Sequence, residues 1–184
     1  MASEIILIGP VAAGKTTVGK LLAARLEIPL VSMDDLRFGY YQELGYDEEF
    51  ARELREREGP MAVYRYWKVF DPYSVERLLA EHSDCVFDFG GGSSVHEFDD
   101  QLARVQRALE PYENVVLLLP SADEDESVRI LSERTGGCGH RGWHLNAHFV
   151  RHRSNRLLAK FVVYTRGKTP AETCDEVLGL VSRA

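Results

Sequence analysis

Residues 9–17 read GPVAAGKTT, and in Gly9-x-x-x-x-Gly14-Lys15-Thr16 the residue types and spacing are those of a phosphate cradle. Glycines let a backbone wrap closely enough for its N–H groups to point inward. A helix that starts at the end of such a loop adds the partial positive charge of its N-terminus. Lys15 can reach outer phosphates, and the Thr16 hydroxyl can ligate Mg²⁺. Gly9, Pro10, Val11, Ala12, Ala13, Gly14, Lys15, Thr16 and Thr17 are therefore expected to hold the tail of a nucleoside triphosphate. A plain glycine-rich turn is the alternative, and the Lys-Thr ending argues against it.

A second glycine cluster, VFDFGGGSS at residues 86–94, ends an apolar run in Gly90, Gly91 and Gly92. Three consecutive glycines weaken the start of a helix unless a close backbone approach is needed. In an open parallel sheet, ligands gather outside the carboxyl ends of the strands. The two loops should therefore share one sheet edge, one as donor site and one as acceptor site. A tight turn with no ligand is the simpler reading of the triplet.

The elements that position these loops are legible as alternating apolar runs. EIILI (4–8) suits a central buried strand, and Val18, Leu21, Leu22 and Leu26 follow at helical spacing. IPLVSM (28–33), CVFDF (85–89), NVVLLL (114–119) and FVVYT (161–165) read as four further strands. Between them lie helical stretches that break near Gly45, at Gly59-Pro60 and at Asp71-Pro72. Ser94-x-x-Glu97, Ser121-x-x-Glu124 and Thr169-Pro170-Ala171-Glu172 offer three capping boxes, and the GGCG at 136–139 must end a helix. Strands alternating with amphipathic helices imply an α/β fold with a parallel sheet covered on both faces. Residues 1–184 are expected to form a single domain.

Guanine-reading Asn-Lys-x-Asp and the Leu-Ser-Gly-Gly signature of ABC-type ATPases are both absent from the sequence. The chain is short, and small phosphotransferases are the leading class. The opening GPVAAGKTTVGKLLAARLEIPLVSMDD resembles that of the shikimate kinase family, and the glycine triplet is similar to the one that contacts shikimate there. The resemblance implies a P-loop kinase three-layer sandwich with strand order 2-3-1-4-5 and a helical lid around residues 121–158. It also implies ATP as phosphoryl donor. Tyr64-Arg65 falls where the family has a Phe-Arg pair with a substrate-binding arginine. Arg134 and Arg141 fall in the lid, and Arg151 suits an arginine preceding the last strand.

The residues so marked make chemical sense as a set. An alcohol attacking the outer phosphate needs a carboxylate to orient it or accept its proton, and Asp34 is the candidate. A small anionic acceptor bearing a hydroxyl needs guanidinium groups, for which Arg65 and Arg151 are the candidates beside Gly90, Gly91 and Gly92. Arg141 can bring a cation to the transferring group as a lid closes, with Arg134 near the nucleotide base. Shikimate as acceptor requires Arg65 to face the cavity beside Asp34. A sugar acid, nucleotide or antibiotic kinase of the same architecture is the competing reading, and a nucleotide-dependent switch a third.

Three departures bear on that choice. The family's Asp-x-Asp reads Ser32-Met33-Asp34, so metal support falls to Ser32 or to Asp88, an acid otherwise unwelcome at the end of a buried strand. Lys68 stands where an acid is expected three residues after the substrate arginine. The stretch between Arg65 and Gly90 is longer than expected.

His140, His144, His148 and His152 recur every four residues. On one helix each step advances about 400°, so neighbours align while the first and last diverge by about 120°, and one metal cannot collect all four. His144 and His148 are the pair that could chelate.

A net charge of -7 argues against nucleic acid as the main partner. Residues 129–168 carry nine basic side chains against one acid, a local excess that suits either a solvated surface or a small polyanion. Cys85, Cys138 and Cys174 form an odd, widely spaced set that supports neither disulfides nor a thiolate metal site. No apolar run is long enough to span a bilayer, and MASEIILIGP lacks a basic flank with a long apolar region. The expectation is a cytosolic protein without a membrane partner, a monomer or weak dimer.

Overall fold

Five short strands lie parallel in the order β2-β3-β1-β4-β7, the order implied by the resemblance. The structure is a computed structural model that describes residues 4–136, 139–140 and 143–182. In chain order the elements are β1 (Ile5–Ile8), α1 (Lys15–Leu26), β2 (Leu30–Ser32), α2 (Met33–Glu43), α3 (Glu48–Glu58), α4 (Pro60–Trp67) and α5 (Asp71–Glu81). They continue with β3 (Val86–Asp88), α6 (Asp99–Leu109), β4 (Val115–Leu119), α7 (Glu124–Arg134), β5 (Gly139–His140) and β6 (Trp143–His144). The last four are α8 (Leu145–Arg151), α9 (Arg153–Leu158), β7 (Phe161–Tyr164) and α10 (Pro170–Val181). β5 and β6 pair antiparallel with each other, apart from the main sheet.

The strand order fixes where the helices go. From β1 the chain moves one way to β2, then steps back across the sheet through β3 and β4 to β7. Right-handed crossovers put α1 on one face and the later crossover helices on the other. Accordingly α10 packs on α1, while α5 packs on α2 and α6, and α9 meets β4. The reversal at β1 leaves the carboxyl ends of β1 and β3 open, and both glycine loops leave the sheet there.

β1, β3 and β4 are buried along their whole length, as unbroken apolar runs in a doubly covered sheet should be. Cys85 and Cys174 are fully buried in this core, so packing is their role. The three capping boxes fare differently. Thr169 and Glu172 form theirs. Asp123 takes the cap of α7 by accepting from Glu126 N–H, in place of Ser121. Ser94 and Glu97 form none, because α6 starts only at Asp99; the Ser94 hydroxyl instead donates to Asn155 Oδ1 at 2.6 Å. No described helix is long and apolar enough to cross a membrane.

Leu7 sits mid-β1, fully buried, opposite Asp88 on β3 and Val116 on β4. Leu7→Ala is expected to cost about 2–5 kcal/mol, read as a lower midpoint in urea unfolding at an unchanged slope.

Candidate active site

The first loop leaves β1 and turns through left-handed backbone at Ala12 (φ 63) and Gly14 (φ 101) before α1 begins at Lys15. Gly14 is the N-cap and brings no side chain to the first amides of α1, which leaves those N–H groups to a ligand or to solvent. Lys15 is 5% exposed. Its Nζ donates to the carbonyls of Gly9 (3.0 Å) and Pro10 (2.9 Å). Burial pushes its ammonium below the usual lysine range, and the Asp88 and Asp34 carboxylates pull it back.

Asp88, at the end of β3, ties the two loops together. One of its oxygens accepts the Thr16 hydroxyl at 2.5 Å and the other accepts Gly90 N–H at 3.1 Å. Ser32 is level with Asp88 on the neighbouring strand. Thr16, Asp88 and Ser32 thus form one oxygen-rich edge beside the cradle, a donor set that suits a hard divalent cation.

Asp34 lies in the first turn of α2, and its carboxylate lies against the glycine triplet. A Cβ on Gly90, whose φ is 57, would stand 2.6 Å from Asp34 Oδ1, and one on Gly91 would stand 2.3 Å from Val11 Cγ2. The triplet therefore makes a close approach, which a plain turn does not require. Behind it opens a cavity of about 320 Å³, reached by Val11, Asp34, Gly91 and Gly92 and walled by Arg37, Tyr41, Tyr64, Trp67, Lys68 and Phe149. A larger hollow, about 690 Å³, adjoins it at Arg55 and Trp67 but touches neither loop.

The cations of this cavity are not those expected. Arg65 is exposed and does not line it. On α4, Pro60, Tyr64 and Trp67 face the cavity, and Arg65 is turned about 100° beyond Tyr64. Arg151 is half-exposed and pairs with Asp125. It follows Phe149 by two residues, about 200° round α8, and so leaves the cavity face. Arg37 takes their place. Its guanidinium lies 3.4 Å from Asp34 Oδ1 and about 5 Å over the Phe38 and Trp67 rings, and its buried Nε has no partner among the described residues. Arg55 also lines the cavity. Arg134 donates to the Ala12 carbonyl of the first loop at 3.0 Å. Arg141 lies outside the described residues.

Lys68 and Asp71 form a buried ion pair on the cavity wall, 3% and 4% exposed. Lys68 Nζ also donates to the Gly92 carbonyl at 2.6 Å and the Val95 carbonyl at 3.0 Å, which fixes the loop beyond the triplet. Asp71 accepts the Tyr41 hydroxyl as well. Burial first, then the charge of Asp71, raises the Tyr41 pKa, so that hydroxyl stays a donor. The sequence offered one signal for this network: Lys68 and Asp71 stand at i, i+3.

The late basic excess is not an open field. Arg129, Arg151, Arg153, Arg156, Arg166 and Lys168 pair with Glu133, Asp125, Asp99, Glu124, Glu126 and Glu176. Four of those acids lie on α7, three of them in its first turn.

No family model matches the chain. Over 90 residues, 49% of this chain, it is 33% identical to the shikimate kinase of Francisella tularensis subsp. holarctica, a stretch covering 46% of that relative. The chain thus spans about half the length of the curated relatives it matches. Its fold is similar over 98% of its length to the shikimate kinase from Acinetobacter baumannii in complex with shikimate, with a TM-score of 0.65, 19% identity and 93% of that chain covered. A gluconokinase from Sinorhizobium meliloti shares the fold at a TM-score of 0.52 and 16% identity, over 98% of this chain and 92% of that one.

Removing one partner of a buried ion pair leaves an uncompensated charge, at a cost of about 3–5 kcal/mol. Asp71→Leu is expected to destabilise by that amount, and Lys68→Met/Asp71→Leu to recover more than half of it, as measured by a double-mutant cycle in urea.

Proposed function

We propose that this chain, a P-loop protein similar to the shikimate kinases in sequence and fold, transfers the γ-phosphoryl group of ATP to a hydroxyl of a small anionic metabolite. The observation that carries this reading is the position of Asp34, between the Lys15 cradle and a cavity walled by Arg37 and the Lys68–Asp71 pair. The reaction needs a carboxylate at the boundary between a phosphate site and an acceptor site.

The cradle residues fit a magnesium triphosphate. The left-handed turns at Ala12 and Gly14 supply inward amides, the Lys15 ammonium has two carbonyl contacts to exchange for phosphate oxygens, and Thr16 with Asp88 supplies hard oxygen donors. Bound there, the magnesium triphosphate supplies the phosphoryl group and neutralises part of its charge. Thr16, Asp88 and Ser32 are the residues assigned to the metal. Asp34 orients the acceptor hydroxyl and takes its proton. Arg37 holds the acceptor's anionic group with its planar fork, and the Gly90–Gly92 backbone lines the acceptor's path. Residues 121–158 act as a lid, within which Arg134 steadies the first loop and Arg141 brings a cation to the transferring group. The protein works as one domain in the cytosol, as a monomer or weak dimer.

Arg65 is exposed and off the cavity, so the condition set for shikimate is not met; shikimate stays in the screen on sequence and fold similarity alone. Sugar acids come second, because Arg37 selects for a carboxylate rather than for a ring. The experiment is an ATP-consumption screen over hydroxylated acids, sugars and nucleotides. Asp34→Asn should lower acceptor-dependent turnover about 100-fold or more, with triphosphate binding retained in calorimetry. Arg37→Met should raise the acceptor KM about tenfold while kcat changes little. Undiminished turnover in Asp34→Asn removes Asp34 from its role, and hydrolysis indifferent to every acceptor favours the switch.

A further inference from the structure

Beside the acceptor cavity, three metal-ligating side chains from distant parts of the chain converge. Glu97 lies between β3 and α6, His148 on α8, and His152 at the N-cap of α9; their ligand atoms all lie within 4.8 Å of one another. His148 Nε2 is 2.8 Å from Glu97 Oε1, and His152 Nε2 is 3.7 Å from Glu97 Oε2. Nitrogen and oxygen ligands about 2.0–2.1 Å from a tetrahedral ion stand about 3.3 Å apart; the two separations, each to a different oxygen of Glu97, lie on either side of that value. The three side chains are 15–28% exposed, so an ion from solvent can reach them. Tyr64 donates its hydroxyl to Glu97 Oε1 at 2.7 Å, the kind of outer contact that orients a ligating carboxylate.

We propose that Glu97, His148 and His152 form a binding site for a divalent transition-metal ion, Zn²⁺ foremost, separate from the magnesium edge at Thr16 and Asp88. Two imidazoles with one carboxylate suit Zn²⁺ or Co²⁺ and disfavour Mg²⁺ and Ca²⁺, which take oxygen ligands. Three protein ligands leave one position for water or a small donor. The histidine pair joined by the ion is 148 and 152. The carboxylate missing from the sequence around them comes from 51 residues before His148.

Binding exchanges two hydrogen bonds for coordination. In the metal-free protein His152 Nδ1 accepts the Ser154 N–H at 3.3 Å and His148 Nε2 donates to Glu97 Oε1 at 2.8 Å, so both rings carry their proton on Nε2. An ion on the two Nε2 atoms moves each proton to Nδ1, ends the long cap bond and replaces the His148–Glu97 hydrogen bond. In return α8 is fastened to the loop at Glu97. Tyr64 and Phe149, next to these ligands, wall the acceptor cavity, so the ion holds that wall in place.

The test is titration of the full, nucleotide-free chain with Zn²⁺ alone by calorimetry, and with Co²⁺ alone by visible absorption. One saturable equivalent is expected. Glu97→Gln and His148→Gln should each weaken binding about tenfold or more, whereas Asp88→Asn and His144→Gln should retain it. Zn²⁺ should also slow amide exchange across residues 145–152. Melting curves establish that the variants fold; should Glu97→Gln not fold, His152→Asn, which keeps a cap acceptor, is expected to show the same loss. Saturable binding that survives Glu97→Gln but disappears in His144→Gln or Asp88→Asn overturns the proposal, as does the lack of a saturable Co²⁺ spectrum in the unsubstituted chain.

Discussion

The cavity beside Asp34 exists because the loop after β3 comes into contact with the phosphate loop, and only a backbone without side chains can come so near. Asp88 holds that approach. With one oxygen on the Thr16 hydroxyl and the other on Gly90 N–H, it joins the first turn of α1 to the glycine triplet through a single carboxylate. Everything downstream inherits this constraint. Gly90 makes room for Asp34, Gly91 makes room for Val11, and Gly92 presents its carbonyl to Lys68. A side chain at any of the three would push the triplet away from the phosphate-loop side and, in the proposed reaction, separate the reacting groups. Near-attack geometry tolerates little of that.

Buried charge is what makes the arrangement costly, and the charges are arranged to offset one another. Lys15 is pulled between desolvation and two carboxylates. Lys68 is engaged on three sides, by Asp71, Gly92 and Val95. The difference between the two lysines lies in their partners. Those of Lys15 are loop carbonyls, which a phosphate can replace with stronger, charge-assisted bonds. Lys68 is bound to a carboxylate as well as to carbonyls, so a ligand gains little by competing. One lysine is therefore poised for exchange and the other is fixed as structure.

What was legible in the sequence follows the range of the interactions involved. The five strands, the turn of the phosphate loop and the Thr169 cap depend on short-range pattern and appear as expected, as does the strand order, which only the family resemblance implied. Arg65 and Arg151 do not. Whether Arg65 or Arg151 faces a cavity is set by which side of α4 or α8 packs inward, and a rotation of one residue changes the answer. Arg37 carries no motif, and it is the placement of Trp67 and Phe38 that brings its guanidinium to the cavity. Ser94-x-x-Glu97 has the local pattern of a cap, yet both side chains are taken by tertiary partners, Asn155 for one and Tyr64 with His148 for the other. Local capping is worth about 1 kcal/mol, little enough for buried or charged partners to override.

The same competition shapes what the cavity can recognise. A lysine offers a point charge and an arginine a planar fork. Here the lysine on the wall is already neutralised, so an incoming carboxylate meets Arg37 first. That guanidinium is held by stacking on two aromatic rings and by Asp34 at 3.4 Å, with its Nε unsatisfied among the described residues. An anionic acceptor bound to Arg37 would draw it from Asp34, and release of that carboxylate is what a general base requires. In the proposed reaction, acceptor binding and release of the base are thereby coupled through one ion pair. Under that proposal, neutral hydroxyl compounds leave Arg37 on Asp34 and are disfavoured at the proton-transfer step as well as in binding.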